Sequence, residues 1–265
     1  MNLDILILAL SPISIFTFAI IEWLTFRTKN PIDSRVRMAI SMEILSKSLG
    51  VFVSWMLLLK LVNFVSPLEI FSISRLNMPK PINFLMSILI IDFFHYVIHR
   101  LHHSIPMLWR LHRTHHSDKT VNSITSFIHH PFETVSAFFI GISMYVIFDI
   151  PVIAIFCHSI FMVVHSPFSH TTIHIPRHIE KILSYVIVTP NFHRAHHSQD
   201  MKEGNSNFGI IFPFWDKLFG TYVSKTSTQM KTLKFGINLR ESPSGNTLKE
   251  YLLNPFIHRQ EKSSP

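Results

Sequence analysis

Histidine is the residue type that dominates this sequence and could do chemistry. The chain has 18 histidines in 265 residues, and all but one lie within positions 95–197. Segments 112–116 and 193–197 both read H-x-x-H-H. On a helix, positions i, i+3 and i+4 lie on one side, so each triplet can direct its imidazoles toward one point or two adjacent points. Neutral imidazole is the commonest metal ligand in proteins, so the pattern predicts a metal site.

The number of clustered histidines predicts two metal ions, because it exceeds the ligands of one tetrahedral or octahedral ion. His95, His99 and His103 add a third set, spaced four apart on one helix face. Imidazole ligation suits iron, zinc, copper or nickel better than magnesium or calcium. The single cysteine, Cys157, excludes a cysteine-ligated cluster and an internal disulfide. The sequence lacks H-E-x-x-H, which is typical of metallohydrolases, so redox chemistry with O₂ fits the pattern better.

Apolar segments position these histidines. Hydrophobic residues make up 48% of the chain and charged residues 15%, whereas about a quarter of a soluble domain is charged. Five apolar segments approach the roughly 20 residues that cross a bilayer: about 3–24, 44–65, 82–99, 132–148 and 152–164. Asp149-Ile-Pro151 predicts a tight turn between the last two segments. The sequence therefore predicts an all-α, polytopic integral membrane protein with four or five transmembrane helices.

The charge distribution predicts the orientation of these helices. Four Lys or Arg residues lie at positions 27–37, after the first segment, whereas only Arg75 and Lys80 separate the second and third. Since basic loops stay in the cytoplasm, the histidine-rich segments fall on the cytoplasmic face, in a helical cap that holds a di-metal site. The net charge of +8 is explained by this bias, and no nucleic-acid partner is expected.

The combination of motifs resembles the fatty acid hydroxylase/sterol desaturase superfamily, whose members are integral-membrane, non-haem di-iron enzymes. The resembling stretches begin with D-F-F-H-Y-V-I-H-R-L-H-H and L-H-R-T-H-H-S within 92–117, and H-P-F-E follows at 130–133. T-P-N-F-H-R-A-H-H-S occupies 189–198, and N-F-G and F-W-D-K-L-F-G-T close the pattern within 207–221. The resemblance covers about residues 82–260, and the short chain is more similar to bacterial members.

The resemblance implies which residues bind the metals. The implied ligands are His99, His103, His112, His115, His116, His130, His165, His170, His193, His196 and His197. His129 competes with His130 for one position, since periodicity does not separate neighbours. Asp92 and Glu133 are expected either to accept hydrogen bonds from ligand imidazoles, which usually donate their second N–H to a carboxylate or carbonyl, or to be scaffold residues. The resemblance also divides the chain into N-terminal transmembrane helices (1–81), a catalytic domain (82–221) and a cytoplasmic tail (222–265).

The activity implied is O₂-dependent hydroxylation or desaturation of a C–H bond in a fatty acyl, sterol or related lipid. The cofactors implied are two iron ions, with O₂ as co-substrate, and overexpression can load zinc instead. No G-x-G-x-x-G motif is present, so a separate electron donor of the ferredoxin or cytochrome b5 type, with its reductase, is expected. Arg177, Lys181 and other cations of the cytoplasmic face offer a docking surface for an acidic carrier, with the positive-inside bias as the other explanation.

Three alternatives stay open. A histidine-rich membrane protein that binds or transports metal would line a path across the bilayer with histidines and acids. A zinc-dependent membrane hydrolase would need one metal, a water and a general base. A membrane haem protein would have histidines facing one another within the spans. The expected location is the plasma or inner membrane of a bacterium.

Overall fold

The computed structural model describes residues 34–65, 72–225, 227–237 and 247–257, together with positions 17 and 20. These residues are mostly helical and contain no strand beyond one isolated bridge between Ser198 and Phe235. The predicted helical class is therefore confirmed for the described part of the chain. The first predicted apolar segment, 3–24, lies outside the described residues except at those two positions.

The described helices vary from single turns to 32 residues. They are α1 (Ser34–Val65), α2 (Lys80–Ser104), α3 (Pro106–His116), α4 (Pro131–Phe148), α5 (Val152–His170), α6 (Arg177–Val186), α7 (Pro190–His196), α8 (Met201–Gly204), α9 (Phe214–Leu218), α10 (Ser227–Thr232) and α11 (Leu248–Leu253). Short 3₁₀ turns cover Ile73–Leu76, Ser123–Phe127 and Asn254–Phe256. The four longest helices contain the four predicted apolar segments that the structure describes.

Two of the described helices, α2 and α5, are long and apolar enough to cross a membrane. Only 28% of the residues in the apolar stretch of each helix are buried. Leu85 on α2 and Ile153 on α5 are 56% and 58% exposed, unlike residues in the core of a soluble protein. Both helices continue beyond the predicted apolar segments, and their last turns carry histidines.

Prolines and short polar residues set the boundaries between the helices that form the site. Ile105 is extended and ends α2, and Pro106 begins α3, since proline is favoured in a first helical turn. Asp149 separates α4 from α5 with a left-handed φ of 49°, and its carboxylate accepts a hydrogen bond from Ser72 Oγ at 2.8 Å. The predicted turn at this point is confirmed. Thr189 begins α7 by accepting a hydrogen bond from Phe192 N through its side chain.

Helix α1 packs along α4, and α2 packs against both α3 and α5. A buried apolar cluster joins α1 to the 3₁₀ turn 123–127 and to α11, with Met42, Ile128 and Tyr251 among its members. An ion pair between Arg35 and Asp118 ties the start of α1 to the segment after α3. These contacts bring the C-terminal ends of α2 and α5 together with the short helices α3 and α7.

Candidate metal centre

Five imidazoles from three helices converge at the C-terminal end of α2 and form what we call site A. One ring nitrogen from each imidazole lies within 4.8 Å of the others. Helix α2 contributes His99 and His103, α3 contributes His112 and His116, and α7 contributes His196. Four of the five are buried and His103 is half-buried. Site A therefore collects enough imidazoles to surround one metal ion.

Four further imidazoles form site B, next to site A. His115 comes from α3, His170 from the end of α5, and His193 and His197 from α7 and the residue that follows it. All four are buried, and one ring nitrogen from each lies within 4.8 Å of the others. The rings of His116 in site A and His197 in site B stack with centroids 4.4 Å apart. The two sites are therefore directly adjacent, with stacked rings between them.

The two H-x-x-H-H triplets divide between the sites in opposite ways. In the triplet 112–116, the first and last histidines belong to site A and the middle one to site B. In the triplet 193–197, the first and last belong to site B and the middle one to site A. Each triplet therefore contributes to two adjacent points, which is the second of the two geometries that the spacing allows.

The donor set fits metal ions in both sites. The Nε2 atoms of His170 and His193 lie 3.0 Å apart, and those of His170 and His115 lie 3.2 Å apart. In site A, the Nε2 atoms of His99 and His112 are also separated by 3.2 Å. Two nitrogens bound to one ion at about 2.0–2.1 Å, with 90–109° between the bonds, would lie about 2.8–3.4 Å apart. These separations therefore match neighbouring ligands of one ion.

Unpartnered buried nitrogens also point to metal ions. The Nε2 atoms of His103, His116 and His196 have no hydrogen-bond partner although they are buried. Leaving a buried polar atom without a partner costs about 1–3 kcal/mol. Three such atoms aimed into one site are readily explained if that site binds a cation.

Backbone carbonyls orient several of the ring planes. His99 Nδ1 donates to Phe208 O at 2.8 Å, and His196 Nδ1 donates to Ser206 O at 2.7 Å. In site B, His170 Nδ1 donates to Ser166 O, also at 2.7 Å. Because Nδ1 carries the proton in each case, the Nε2 lone pair faces the site.

Glu133, in the first turn of α4, gives the same support to site A through a carboxylate. Its Oε1 accepts hydrogen bonds from His112 Nδ1 at 2.8 Å and from His129 Nδ1 at 3.1 Å. Burial disfavours the charged form of His129, but the nearby Glu133 carboxylate outweighs that effect and raises the pKa of His129. The ring of His129 stacks on the ring of His115 with centroids 4.1 Å apart. Glu133 therefore links the two sites through one oxygen atom.

Burial and mutual repulsion keep the ligand imidazoles neutral. The pKa of His196 is lowered to about 3, first by burial and then by the nearby His112 ring. Burial and neighbouring imidazoles also lower the pKa values of His115, His116, His193 and His197 well below the usual value. An unprotonated imidazole has the lone pair that a metal ion requires.

Two of the eleven expected ligands lie outside both sites. His130 precedes α4, where its Nδ1 accepts from Phe132 N at 3.2 Å and its Nε2 contacts Leu252 O at 3.2 Å. His165 hydrogen-bonds Val188 O through Nε2 at 2.9 Å. His170 follows His165 by five positions, so their side chains leave α5 about 140° apart. Of the neighbours His129 and His130, the structure brings His129 toward the centre.

Asp92 also lies away from both sites, so of its two expected roles the structure gives it the one in the scaffold. Its carboxylate accepts hydrogen bonds from Ile211 N at 3.1 Å, Phe212 N at 3.3 Å and Trp215 Nε1 at 2.8 Å. Asp216 plays a parallel role, because it accepts from Phe208 N and Gly209 N, each at 2.7 Å. The two acids fix the chain segment that presents its carbonyls to the histidines.

Segment 205–208, whose oxygen atoms orient site A, was not among the predicted site residues. Asn205 Oδ1 lies 3.3 Å from His103 Nδ1, and the carbonyls of Ser206 and Phe208 hold two other rings. Backbone carbonyls leave no signature in residue type. The resembling motif N-F-G at 207–209 was the one available signal.

The fold and the site together describe a helical protein with two adjacent, buried imidazole sites that could hold metal ions at the ends of apolar helices. The model of the fatty acid hydroxylase family matches residues 84–221, slightly more than half of the chain. The chain therefore belongs to the fatty acid hydroxylase family, and the matched region contains all nine histidines of sites A and B.

Several curated proteins are similar to this chain. Human alkylglycerol monooxygenase is 25% identical over 193 residues, which are 69% of this chain and 40% of the human protein. The ornithine lipid hydroxylase of Rhizobium tropici is 30% identical over 149 residues, covering 54% of this chain and 43% of that protein. A very-long-chain aldehyde decarbonylase of Arabidopsis thaliana is 28% identical over 162 residues, covering 55% of this chain and 24% of that protein. The chain thus spans less than half the length of these relatives. No solved structure shows a significant match.

Proposed function

We propose that this protein is a membrane-bound, O₂-dependent oxidoreductase that hydroxylates or desaturates an unactivated C–H bond of a lipid. The observation that carries the proposal is the pair of adjacent imidazole sites built from interleaved triplets. Nine histidines would hold two iron ions, five in site A and four in site B. Bound iron would supply the activation of O₂ that removal of hydrogen from such a C–H bond requires.

The residues around both sites orient the imidazoles, hold the Nδ1 protons and keep water away from the ligands. Its neutral imidazoles present Nε2 lone pairs, while carbonyls and Glu133 hold the Nδ1 protons. Phe208 packs against the rings of His103 and His196 with centroids 5.2 and 5.7 Å apart. An aromatic ring at this position keeps bulk water from the ligands, which protects a reactive site from side reactions.

A lipid substrate is supported by the family and by the chemistry of the helix surfaces. The names of the human and Rhizobium relatives state that those proteins act on an alkylglycerol and on an ornithine lipid. Sites A and B lie at the C-terminal ends of α2 and α5, the two candidate membrane-spanning helices. An acyl chain in the bilayer would thus reach the metal centre along an apolar surface.

The membrane arrangement and partners complete the proposal. Four or five spans would place the centre in a cytoplasmic cap of the plasma or inner membrane, with residues 82–221 as the catalytic domain. A separate ferredoxin or cytochrome b5 type donor, with its reductase, would supply the electrons. A metal transporter fits the structure less well, because the ligand histidines gather at one end of α2 and α5 rather than along them.

The test is the metal content of the purified full chain, followed by a Mössbauer spectrum of an iron-reconstituted sample. We expect about two irons per chain, magnetically coupled, and products detectable by mass spectrometry after incubation with lipids, donor and O₂. One tightly bound zinc with no uptake of iron would contradict the oxygenase and favour a zinc-dependent hydrolase or a metal-binding protein. The His193→Ala variant, with His165→Gln as its control, tests whether site B holds one of the two ions.

A further inference from the structure

A cavity of ≈ 540 Å³ lies beside helix α6, apart from the histidine sites. Its wall comes from α6, the first turn of α7 and the segment 217–225. No histidine of site A or site B lines it. Its volume falls within the range of about 300–1,000 Å³ that is typical of small-molecule sites, so a ligand can be sought from the chemistry of its wall.

Cations outnumber anions in this wall. Arg177, Lys181, Lys217 and Lys225 line the cavity together with one carboxylic acid, Glu180. Lys225 is paired with a carboxylate outside the lining. Within the described part of the chain, Arg177 and Lys181 form no ion pair. The cavity therefore has positive charge that a bound anion would balance.

Glu180 is the one acid among the cations of this lining. Its Oε1 accepts a hydrogen bond from Thr189 Oγ1 at 2.5 Å, so the side chain is already held by the start of α7. Burial raises the pKa of Glu180 above its usual value. The four cations therefore outnumber the one carboxyl group of the lining, whose side chain is tied to Thr189.

Lys217 is held at the cavity by aromatic and backbone contacts. Its Nζ donates to Ser184 O at 3.1 Å and lies 3.7 Å from the centre of the Tyr185 ring. The Tyr222 ring is 5.2 Å away on another side. A guanidinium and ammonium groups around one space are the donors that recognise phosphate.

The faces of α6 indicate where this cavity sits. Positions 177, 180, 181 and 184 form one stripe and line the cavity. Positions 179, 182, 183 and 186 form the opposite stripe and are all Ile, Leu or Val. Ile182 and Val186 are 68% and 63% exposed. A short helix with a basic face and an exposed apolar face is typical of a helix that lies in the membrane interface.

The position of α6 in the chain agrees with this reading. Helix α5, a candidate membrane-spanning helix, ends at His170, and α6 begins at Arg177. Six residues therefore separate the end of an apolar helix from the basic face of α6. An apolar stripe facing the hydrocarbon would leave the cavity on the polar side, at the depth of the lipid headgroups.

We propose that α6 is an interfacial helix and that its cavity binds the phosphate headgroup of an anionic bilayer lipid. Arg177 and Lys181 contact the phosphate, and Lys217 completes the set of cations. The inference rests on the proposed membrane location, but it requires neither bound iron nor turnover. It adds a lipid-binding site beside the metal centre.

The test measures lipid binding to the full chain in mild detergent by native mass spectrometry. Dioleoyl phosphatidic acid is the probe, and phosphatidylcholine of the same chain length is the zwitterionic reference, whose phosphate is balanced by its own choline cation. The Arg177→Gln/Lys181→Gln variant is expected to bind phosphatidic acid about tenfold or more weakly, because two charge-assisted contacts are lost. Lys202→Gln/Lys249→Gln removes the same charge from exposed positions outside the cavity and is expected to bind as the unmodified protein does.

Three results would overturn the inference. Equal weakening in both double variants would mean that binding follows net charge alone. Full displacement of the lipid by an equal concentration of glycerol phosphate would assign the cavity to a soluble phosphate ester. If the Arg177→Gln/Lys181→Gln variant binds the lipid unchanged but its metal centre is reduced more slowly by an acidic carrier, the surface would be a docking site for that carrier.

A second, single substitution guards against a folding defect in the double variant. Lys217→Gln changes a different wall of the cavity and is expected to weaken binding of phosphatidic acid in the same direction. The metal content of each variant is measured in parallel. Variants that keep their metal but lose the lipid support the inference, and normal lipid binding in metal-free protein shows that it stands apart from the proposed oxygenase activity.

Discussion

The Glu133→Gln substitution tests how site A is supported. The replacement keeps the shape of the side chain but removes the negative charge that receives His112 Nδ1 at 2.8 Å and His129 Nδ1 at 3.1 Å. A hydrogen bond to a charged group contributes about 1.5–3 kcal/mol, against about 0.5–1.5 kcal/mol for a neutral one. The expected loss is therefore about 1–2 kcal/mol, which corresponds to a Kd for the metal in site A that is about 5–30 times higher.

The assay is competition for metal with a chelator of known affinity, using the purified full chain and counting both ions. We expect one of the two ions to be lost at a lower chelator concentration, while the site B ion is retained. Glu250→Gln is the control, because it removes the same charge from the first turn of α11, a helix that carries no histidine of site A or site B. Unchanged affinity, or equal weakening at both sites, would refute the support that we assign to Glu133.

Three further predictions follow from the geometry. His196→Ala is expected to abolish turnover while leaving membrane insertion intact, whereas the control His165→Gln is expected to keep its metal. Activity and metal content of both variants are measured, and retained turnover in His196→Ala would contradict site A. Gly209→Ala places a Cβ 2.8 Å from Asp216 Oδ2 and is expected to lower the Tm, since overpacking costs about 1–3 kcal/mol. Gly50→Ala is the control, because the nearest contact of its Cβ is 3.4 Å away. An equal change of Tm in both variants would argue against the clash. In metal-free protein, the free energy of unfolding is expected to fall as the pH drops below about 6.5, because His196, with a folded pKa of about 3, takes up its proton only on unfolding. Each such histidine contributes up to about 1.4 kcal/mol per pH unit, so equal denaturation midpoints at pH 7 and pH 5 would count against neutral buried imidazoles.

Local patterns predicted the elements of this structure well. The apolar segment 132–148 became α4 (Pro131–Phe148), because apolar length and a following turn set both ends. Helices α2 and α5 extend beyond their apolar segments, since their last turns are polar yet still helical. Hydropathy therefore locates the apolar part of such a helix and misses the turns that carry the ligands.

The division of histidines between two sites was beyond the reach of the sequence. Spacing shows that the three histidines of a triplet lie on one side of a helix. The packing of α3 against α7 decides which of the two sites each imidazole faces. The neighbours His129 and His130 have different partners, because His129 hydrogen-bonds Glu133 and His130 accepts from Phe132 N. The supporting carbonyls of Ser206 and Phe208 come from a fold that positions main-chain atoms.

Because each H-x-x-H-H triplet contributes histidines to both sites, the two sites form one structural unit rather than two independent ones. Both short helices would hold both ions, so the spacing of the histidines along each helix would set the distance between the two metals. The first ion to bind fixes the helices that the second one needs, which favours cooperative loading. Loss of either ion would loosen the anchorage of both helices, so a half-filled centre would be less stable than a filled one.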